Sequence, residues 1–260
     1  MSCKKEVPPQ KFALFTFSNF SWLTKISKKK VEYWRKYSKR IILFRDLLQQ
    51  EQTYNDHLKL IIEKYVEPLR KMGSNKMPIS FDQMTTIFPT FDVIKGYHAE
   101  FLLQLNALYL EWPFIEHIGK PLIDVLSNVF QVYREFAKAC PYAKDTLTWC
   151  LKTSERFAVF VSDTQNLTKS EGTDISLSSL LASPLSRIQQ LNFIIQDLYA
   201  NTPKDHIDFL DLIQCRKLIR ETWKSTNEVL ATSQFHSKSQ LIEKRLLFAD
   251  VSLPPLFFFL

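Results

Sequence analysis

The side chains that could carry chemistry in this sequence are five histidines (His57, His98, His117, His206, His236), four cysteines (Cys3, Cys140, Cys150, Cys215) and acidic pairs such as Asp205 and Asp208. A metal needs histidines, thiolates or carboxylates gathered at short fixed intervals, and a nucleophile needs a serine or cysteine within reach of a base. The histidines fit neither HExxH nor any other ligand spacing, the cysteines form no CxxC pair, and no histidine stands at zinc-finger distance from them. Asp205 and Asp208 would share a helix face, a spacing that also arises by chance. The four glycines are too far apart for a GxGxxG or Walker phosphate loop. No covalent chemistry, no metal and no cofactor is therefore expected. The histidines read as surface or satisfied helix residues, and the cysteines as reduced thiols of an intracellular protein.

The second kind of chemistry on offer is electrostatic. Between Lys25 and Arg40 stand eight basic residues (Lys25, Lys28, Lys29, Lys30, Arg35, Lys36, Lys39, Arg40) against Glu32 alone, a surplus of seven that equals the net charge of the whole chain, +7. Such a run suits an anionic lipid surface, nucleic acid or a nuclear import signal, or it is the solvated approach to the first helix. No second basic stripe supports nucleic-acid binding by the body of the chain, so none is expected. The apolar runs FALFTFSNFSWL (12–23) and PLFFFL (255–260) are too short or too polar for a membrane span. Thr16, Ser18, Asn19 and Ser21 also dilute the first as a secretory signal, so the reading is a cytoplasmic protein, peripheral to membranes through the basic run.

What must position these residues is helical. A content of four glycines in 260 residues leaves little material for hairpin turns, and a chain of this length buries a sufficient core as one domain. Phe44, Leu47, Leu48, Tyr54, Leu58, Ile61, Ile62, Tyr65 and Leu69 recur at helical spacing, which predicts one long amphipathic helix from Ile41, loosened near its end by Pro68. A second helical region is expected over 81–112, broken or kinked at Pro89, and a third near 122–139. Pro141 should open the approach to a fourth, carrying Leu147, Trp149, Phe157 and Phe160, and the polar residues 164–173 should form a loop. A fifth helix is expected over 176–199. Thr202, Pro203 and Asp205 then look like the N-terminal cap of a sixth that runs to about Phe248. The fold class is all-α, an elongated bundle of about six main helices. Its expected parts are a basic and aromatic segment over 1–34, a helical domain over 35–240, and a helix end with apolar tail over 241–260.

Two stretches then carry a resemblance. RDLLQQEQTYNDHLKLIIEKYVEPLRKM (45–72) and LLASPLSRIQQLNFIIQDLYANTPKDH (180–206) resemble the first and third signature regions of the Dbl-homology domain of Rho-family guanine nucleotide exchange factors, and the likeness extends over about 35–240. Asp46, Leu47, Glu51, Tyr54, Leu58, Pro68 and Leu69 occupy the places of the first signature. Leu180, Leu181, Pro184, Arg187, Ile194, Ile195 and Leu198 fit the third. The resemblance implies an exchange factor for a GTPase of the Rho, Rac or Cdc42 group, a regulator with no covalent chemistry of its own. It also implies that Glu51, Tyr54, Pro68, Pro184 and Arg187 are structural, with Pro184 opening the regular part of its helix and Arg187 tying helices together, while Leu185, Ile188 and Leu191 read more as core than contact.

The same resemblance places the GTPase contacts on Asp46, Gln50, Gln190, Leu191, Asn227 and Glu228. Several of these depart from the family's usual residues. Asp46 stands for a glutamate and reaches about 1.5 Å less far; Gln190 stands for a lysine; Leu191, Ser186 and Gln50 stand for a tyrosine, a glutamine and a threonine. Weakened exchange, or a scaffold of the same fold that binds a GTPase or another protein without exchange, is the alternative these departures raise, with a membrane-surface helical module as a third. Exchange factors of this family usually add a pleckstrin-homology domain, and 25 residues follow Phe235, ending in SLPPLFFFL. A shortened form of a longer protein is the expectation.

Overall fold

The apolar spacing that opens at Ile41 belongs to a helix that starts earlier. In the computed structural model, which describes residues 28–250, α1 runs Lys28–Leu60. The aromatic stretch 12–23, Lys25 and the apolar ending 252–260 lie outside the described residues. The boundaries expected after residues 34 and 240 fall within α1 and α9 (Phe209–Asp250). Between them come α2 (Glu67–Lys71), α3 (Gly73–Lys76), α4 (Phe81–Ile87), α5 (Phe91–Tyr109), α6 (Gly119–Thr153), α7 (Glu155–Ser170) and α8 (Leu177–Ala200). No strand occurs among the described residues, and the chain is an all-α bundle. At 1.5 Å rise per residue, α6 with its 35 residues spans about 52 Å, which makes the bundle long.

The loosening expected at Pro68 takes the form of a π-helical turn, Ile61–Val66, joining α1 to α2. The Glu67 N–H donates to Ile62 O, five residues back, and the wider turn buries Ile61, Ile62, Tyr65 and Val66 together. Pro89 breaks the second region as expected, in the short link between α4 and α5. Thr90 there adopts φ 54°, a left-handed conformation that costs a non-glycine residue about 1–2 kcal/mol.

Three expectations are corrected. Pro141 does not divide two helices; α6 passes through it, because the buried series Leu122, Val125, Leu126, Val129, Tyr133, Phe136, Ala137, Pro141, Ala143, Leu147 and Cys150 keeps one face across it. The break comes at Ser154, whose hydroxyl accepts from the Phe157 N–H and caps α7. Residues 164–170 are the last turns of α7, not loop. Thr164 and Thr168 are buried there because their hydroxyls donate to Phe160 O (2.7 Å) and Gln165 O (2.9 Å), and the helix ends only where Gly172 takes φ 92°. Thr202 caps nothing ahead of it: its hydroxyl donates back to Leu198 O at 2.7 Å, and α9 starts at Phe209.

Two apolar clusters form the core. One joins Ile41, Leu43, Phe44 and Leu47 of α1 to Phe101, Leu105, Leu122, Val129, Ile188, Leu191, Ile195, Leu212 and Ile219. The other joins the α1 end and π turn to Ile87, Phe91, Ile94, Phe136, Phe157, Leu177 and Leu180. A buried ion pair closes one end of the first. Arg40 donates to Ile115 O and Glu116 O, both at 2.6 Å, and to the Asp208 carboxylate, which also accepts from the Ile118 (3.1 Å) and Gly119 (2.8 Å) amides at the start of α6. Arg40 is therefore a core residue and leaves the basic surface run. Burial still pushes the Asp208 carboxyl up, against Arg40 and both amides, and burial with Arg40 lowers His206 to about 4.

Candidate functional site

Beyond Arg40, the apolar stripes that open at Ile41 on α1 and at Leu177 on α8 are each interrupted by one buried charge. Glu51 stands four residues after Leu47 and three before Tyr54; Arg187 stands three after Pro184 and four before Leu191. Both side chains are fully buried and meet: Arg187 donates to Glu51 Oε2 from Nη2 at 2.6 Å and from Nε at 3.1 Å. The remaining Glu51 oxygen accepts from Asn55 Nδ2 (3.1 Å) and from His98 Nδ1 (2.7 Å), the latter a donor because an ionised carboxylate has no proton to give. His98 Nε2 lies 2.8 Å from the Tyr133 hydroxyl, which lies 3.2 Å from that of Tyr54. Burial alone would raise the Glu51 carboxyl, but His98 and Arg187 together hold it below its ordinary value. The two tyrosines are pushed up, by burial first. This network sits where the two core clusters meet and joins α1, α5, α6 and α8.

The network also reaches the surface. Arg187 Nη1 donates to Gln50 Oε1 (3.3 Å) on α1 and to Gln190 Oε1 (3.2 Å) on α8. A guanidinium only donates, so both amides must turn their oxygens inward and leave their NH2 groups available outward. One buried arginine thus clasps two glutamines across the groove between helices. Asp46, one turn before Gln50, is partly exposed, with Arg45 at 3.8 Å. Ser186, Gln189, Gln190 and Phe193 form the exposed stripe of α8, a helix packed between α1 and α9. On the α9 side Asn227 lines a cleft of about 170 Å³ with Ser186, Gln189 and Trp223.

Of the residues that the sequence singles out, Asp46, Gln50, Gln190 and Asn227 therefore lie on one three-helix face. Leu191 does not: it is 1% exposed and packs in the first core cluster, so it offers a partner no surface. Glu228 turns the other way, into a cleft between α6 and α9 beside Arg134, Lys138 and His236. Pro184 does not open α8 but lies buried inside it, seven residues from its start at Leu177; Ser176 caps that start by accepting from the Ser179 N–H. Ile188 is buried with Leu191 and Leu185 is half-buried, as expected for core. One contact candidate went unread in the sequence: Phe193 is 61% exposed on the α8 stripe. His98, read as a surface or satisfied helix residue, is the latter, buried with both ring nitrogens in the network. The legible signal for the network was a charged residue inside each apolar stripe.

His117, Asp208 and Asp211 come close enough to suggest a cation site. Arg40 and two amides already occupy the Asp208 carboxylate, so the charge a cation would need is spent within the fold.

The profile of the RhoGEF domain matches residues 43–227. The Ras-specific guanine nucleotide-releasing factor 1 of Rattus norvegicus is 24% identical over 201 residues, 77% of this chain and 16% of that protein. The Rho guanine nucleotide exchange factor 17 of Homo sapiens is 25% identical over 194 residues, 72% of this chain and 9% of that protein. The chain thus spans under a fifth of the length of these curated relatives. Among solved structures, the DH/PH domains of PDZ-RhoGEF in complex with activated RhoA superpose with a TM-score of 0.68 at 15% identity, over 82% of this chain and 57% of that one. The DH/PH domains of p115-RhoGEF give 0.68 at 18%, over 82% and 55%.

Proposed function

The chain belongs to the RhoGEF-domain family, and from that premise we propose that it accelerates nucleotide release from a Rho-family small GTPase. The mechanism is differential binding. A partner that binds the nucleotide-free GTPase more tightly than the loaded form lowers nucleotide affinity by the same factor, and exchange follows without a covalent step. The contacts in this reading are Asp46 toward the first switch segment, and Gln50, Gln190 and Asn227 toward the second, with Phe193 as an apolar contact between them. The observation that carries it is the α1–α8–α9 face, where Arg187 holds Gln50 and Gln190 with their donors outward.

The same observation favours a second reading. Gln190 is neutral where the family uses a lysine, and its oxygen is engaged by Arg187, so it supplies one amide donor in place of an ammonium. A charged hydrogen bond contributes about 1.5–3 kcal/mol against about 0.5–1.5 for a neutral one, which is up to about two decades of rate if felt only in the exchange-competent complex. Binding of a GTPase without exchange, as a scaffold, is the outcome if that difference is decisive. Release of fluorescent GDP from Rho, Rac and Cdc42 representatives separates the two readings when run beside a pull-down of the nucleotide-free forms. Acceleration lost in Asn227→Ala supports exchange, capture without acceleration supports the scaffold, and neither result across the panel overturns both. Peripheral attachment to an anionic membrane through the basic start of α1 completes the proposal.

A further inference from the structure

The basic start of α1 does not stand alone at its end of the bundle. The connection between α5 and α6, residues 110–118, comes up against it: the Tyr37 hydroxyl donates to Pro113 O at 3.3 Å, and Arg40 donates to Ile115 O and Glu116 O. On that connection Leu110 is 87% exposed and Phe114 72%. On α1, Trp34 is 59% exposed and stacks edge-on against Tyr37, with ring centroids 5.9 Å apart. Large apolar side chains this exposed project from the protein and do not line a groove. On the same end of α1, Lys30 stands one turn before Trp34, and Lys36 and Lys39 follow on other faces of the helix; Arg35 is committed to Glu32 through two hydrogen bonds of 2.9 and 3.0 Å, and Lys36 comes within 4.0 Å of the same carboxylate.

We propose that this end of the bundle is a membrane-inserting tip, in which Leu110, Phe114 and Trp34 enter the interfacial layer of an anionic bilayer and Lys30, Lys36 and Lys39 hold its headgroups. The proposal rests on the membrane reading of the basic run given above and adds the apolar element that run lacks. The shape and the chemistry both favour a bilayer. Projecting leucine, phenylalanine and tryptophan suit the boundary between headgroups and acyl chains, where aromatic rings are favoured, and lysine stems reach from there to phosphates. A second copy of this chain would bring the same lysines face to face across a two-fold axis, which like charges oppose. Glu111 and Glu116 on the connection reduce its own attraction, so the pull comes from α1 and the insertion from the connection. Gln50 lies about 24 Å along α1 from Trp34, at 1.5 Å per residue, so a tip seated in the bilayer leaves the α1–α8–α9 face clear of it.

Co-sedimentation of the full chain with phosphatidylcholine vesicles, with and without phosphatidylserine, tests this. The wild type should sediment only with phosphatidylserine present. Lys30→Gln, Lys36→Gln and Lys39→Gln together should weaken binding by about fivefold per lysine, and Leu110→Ser with Phe114→Ser by at least tenfold. Circular dichroism should leave all these surface variants unchanged. Binding that needs phosphatidylserine and the lysines but ignores the serine pair keeps the basic-run reading and overturns the tip. No binding at all overturns both. Concentration-dependent dimers lost in the serine pair, without vesicle binding, assign the tip to a second copy and also overturn the proposal.

Discussion

Removing both partners of the Glu51–Arg187 pair should damage this fold less than the two single removals added together. Arg187→Met leaves the Glu51 carboxylate buried with His98 and Asn55 as its remaining partners, and Glu51→Leu leaves a guanidinium buried with only two glutamine oxygens and the Tyr54 ring 5.8 Å away. Each single change strands a charge that water no longer reaches, and such changes cost about 3–5 kcal/mol. In the double variant no charge is stranded; the His98 and Asn55 donors lose an acceptor, at about 1–3 kcal/mol each. The singles together cost about 6–10 kcal/mol and the double about 2–6, so at mid-range the coupling should be about 4 kcal/mol and favourable. Guanidinium unfolding followed by circular dichroism measures all four corners of the cycle, provided the slope stays constant. Additivity within about 0.5 kcal/mol would refute the reasoning, because it would mean the two groups do not share a desolvated site. The double variant should also lose the proposed nucleotide-exchange activity while folded, since Gln50 and Gln190 lose the donor that orients them.

Three further outcomes follow from the same geometry. Because Glu51 is held below its ordinary value of 4.5, it contributes stability that is present at neutral pH and lost as pH falls through its lowered folded-state value. The stability gap between wild type and Glu51→Gln should therefore be flat above about pH 5 and shrink below, whereas a gap that grows on acidification would contradict it; using the difference removes Asp208, which shifts the opposite way. Gln190→Lys places an ammonium where an amide now accepts from Arg187 at 3.2 Å, so it should lower stability by about 0.5–1.5 kcal/mol while raising exchange; unchanged stability in thermal melts would argue against the clasp. Gly119→Ala drives a methyl to 2.6 Å from Asp211 Cβ and 2.8 Å from Asp208 Oδ1 and should cost about 1–3 kcal/mol, whereas Gly96→Ala meets nothing within 4 Å and should stabilise α5 by about 0.5–1. Equal melting temperatures for those two variants would sink that contrast.

How far the sequence could be read depended on whether a residue's neighbours in the chain were also its neighbours in space. The stripe from Phe44 to Leu69 and that from Leu177 to Leu198 were legible because helical spacing is local, and so was the helix start near Ser176. Pro141 misled because a local penalty of about 3 kcal/mol was set against a buried face extending over the 35 residues of α6, and packing outweighed it. The threonines of 164–170 misled because their polarity is neutralised by the backbone of their own helix, which composition does not display. Thr202 misled because its hydroxyl bonds back to Leu198 O, while Asp208, just before the start of α9 at Phe209, meets Arg40, 168 positions earlier, and the amides that open α6.

The candidate site shows the same division in sharper form. Asp46, Gln50, Gln190 and Asn227 could be placed by motif, but Gln50 meets Arg187 from 137 positions away in the chain, so no local pattern showed that it shares that arginine with Gln190. Leu191 shows the cost of reading a motif without the third dimension, since its neighbour in sequence faces solvent while it faces the core. A buried ion pair adds little net stability compared with an apolar pair of the same volume. Its retention at the junction of two core clusters therefore needs a reason other than stability, and the geometry supplies one. Only a donor-only group rooted in the core can reach both glutamines and force their amides to present the same side outward. Replacing it with a better-packed apolar pair would keep the bundle and release the surface, which is why the stability cycle and the exchange assay have to be read together.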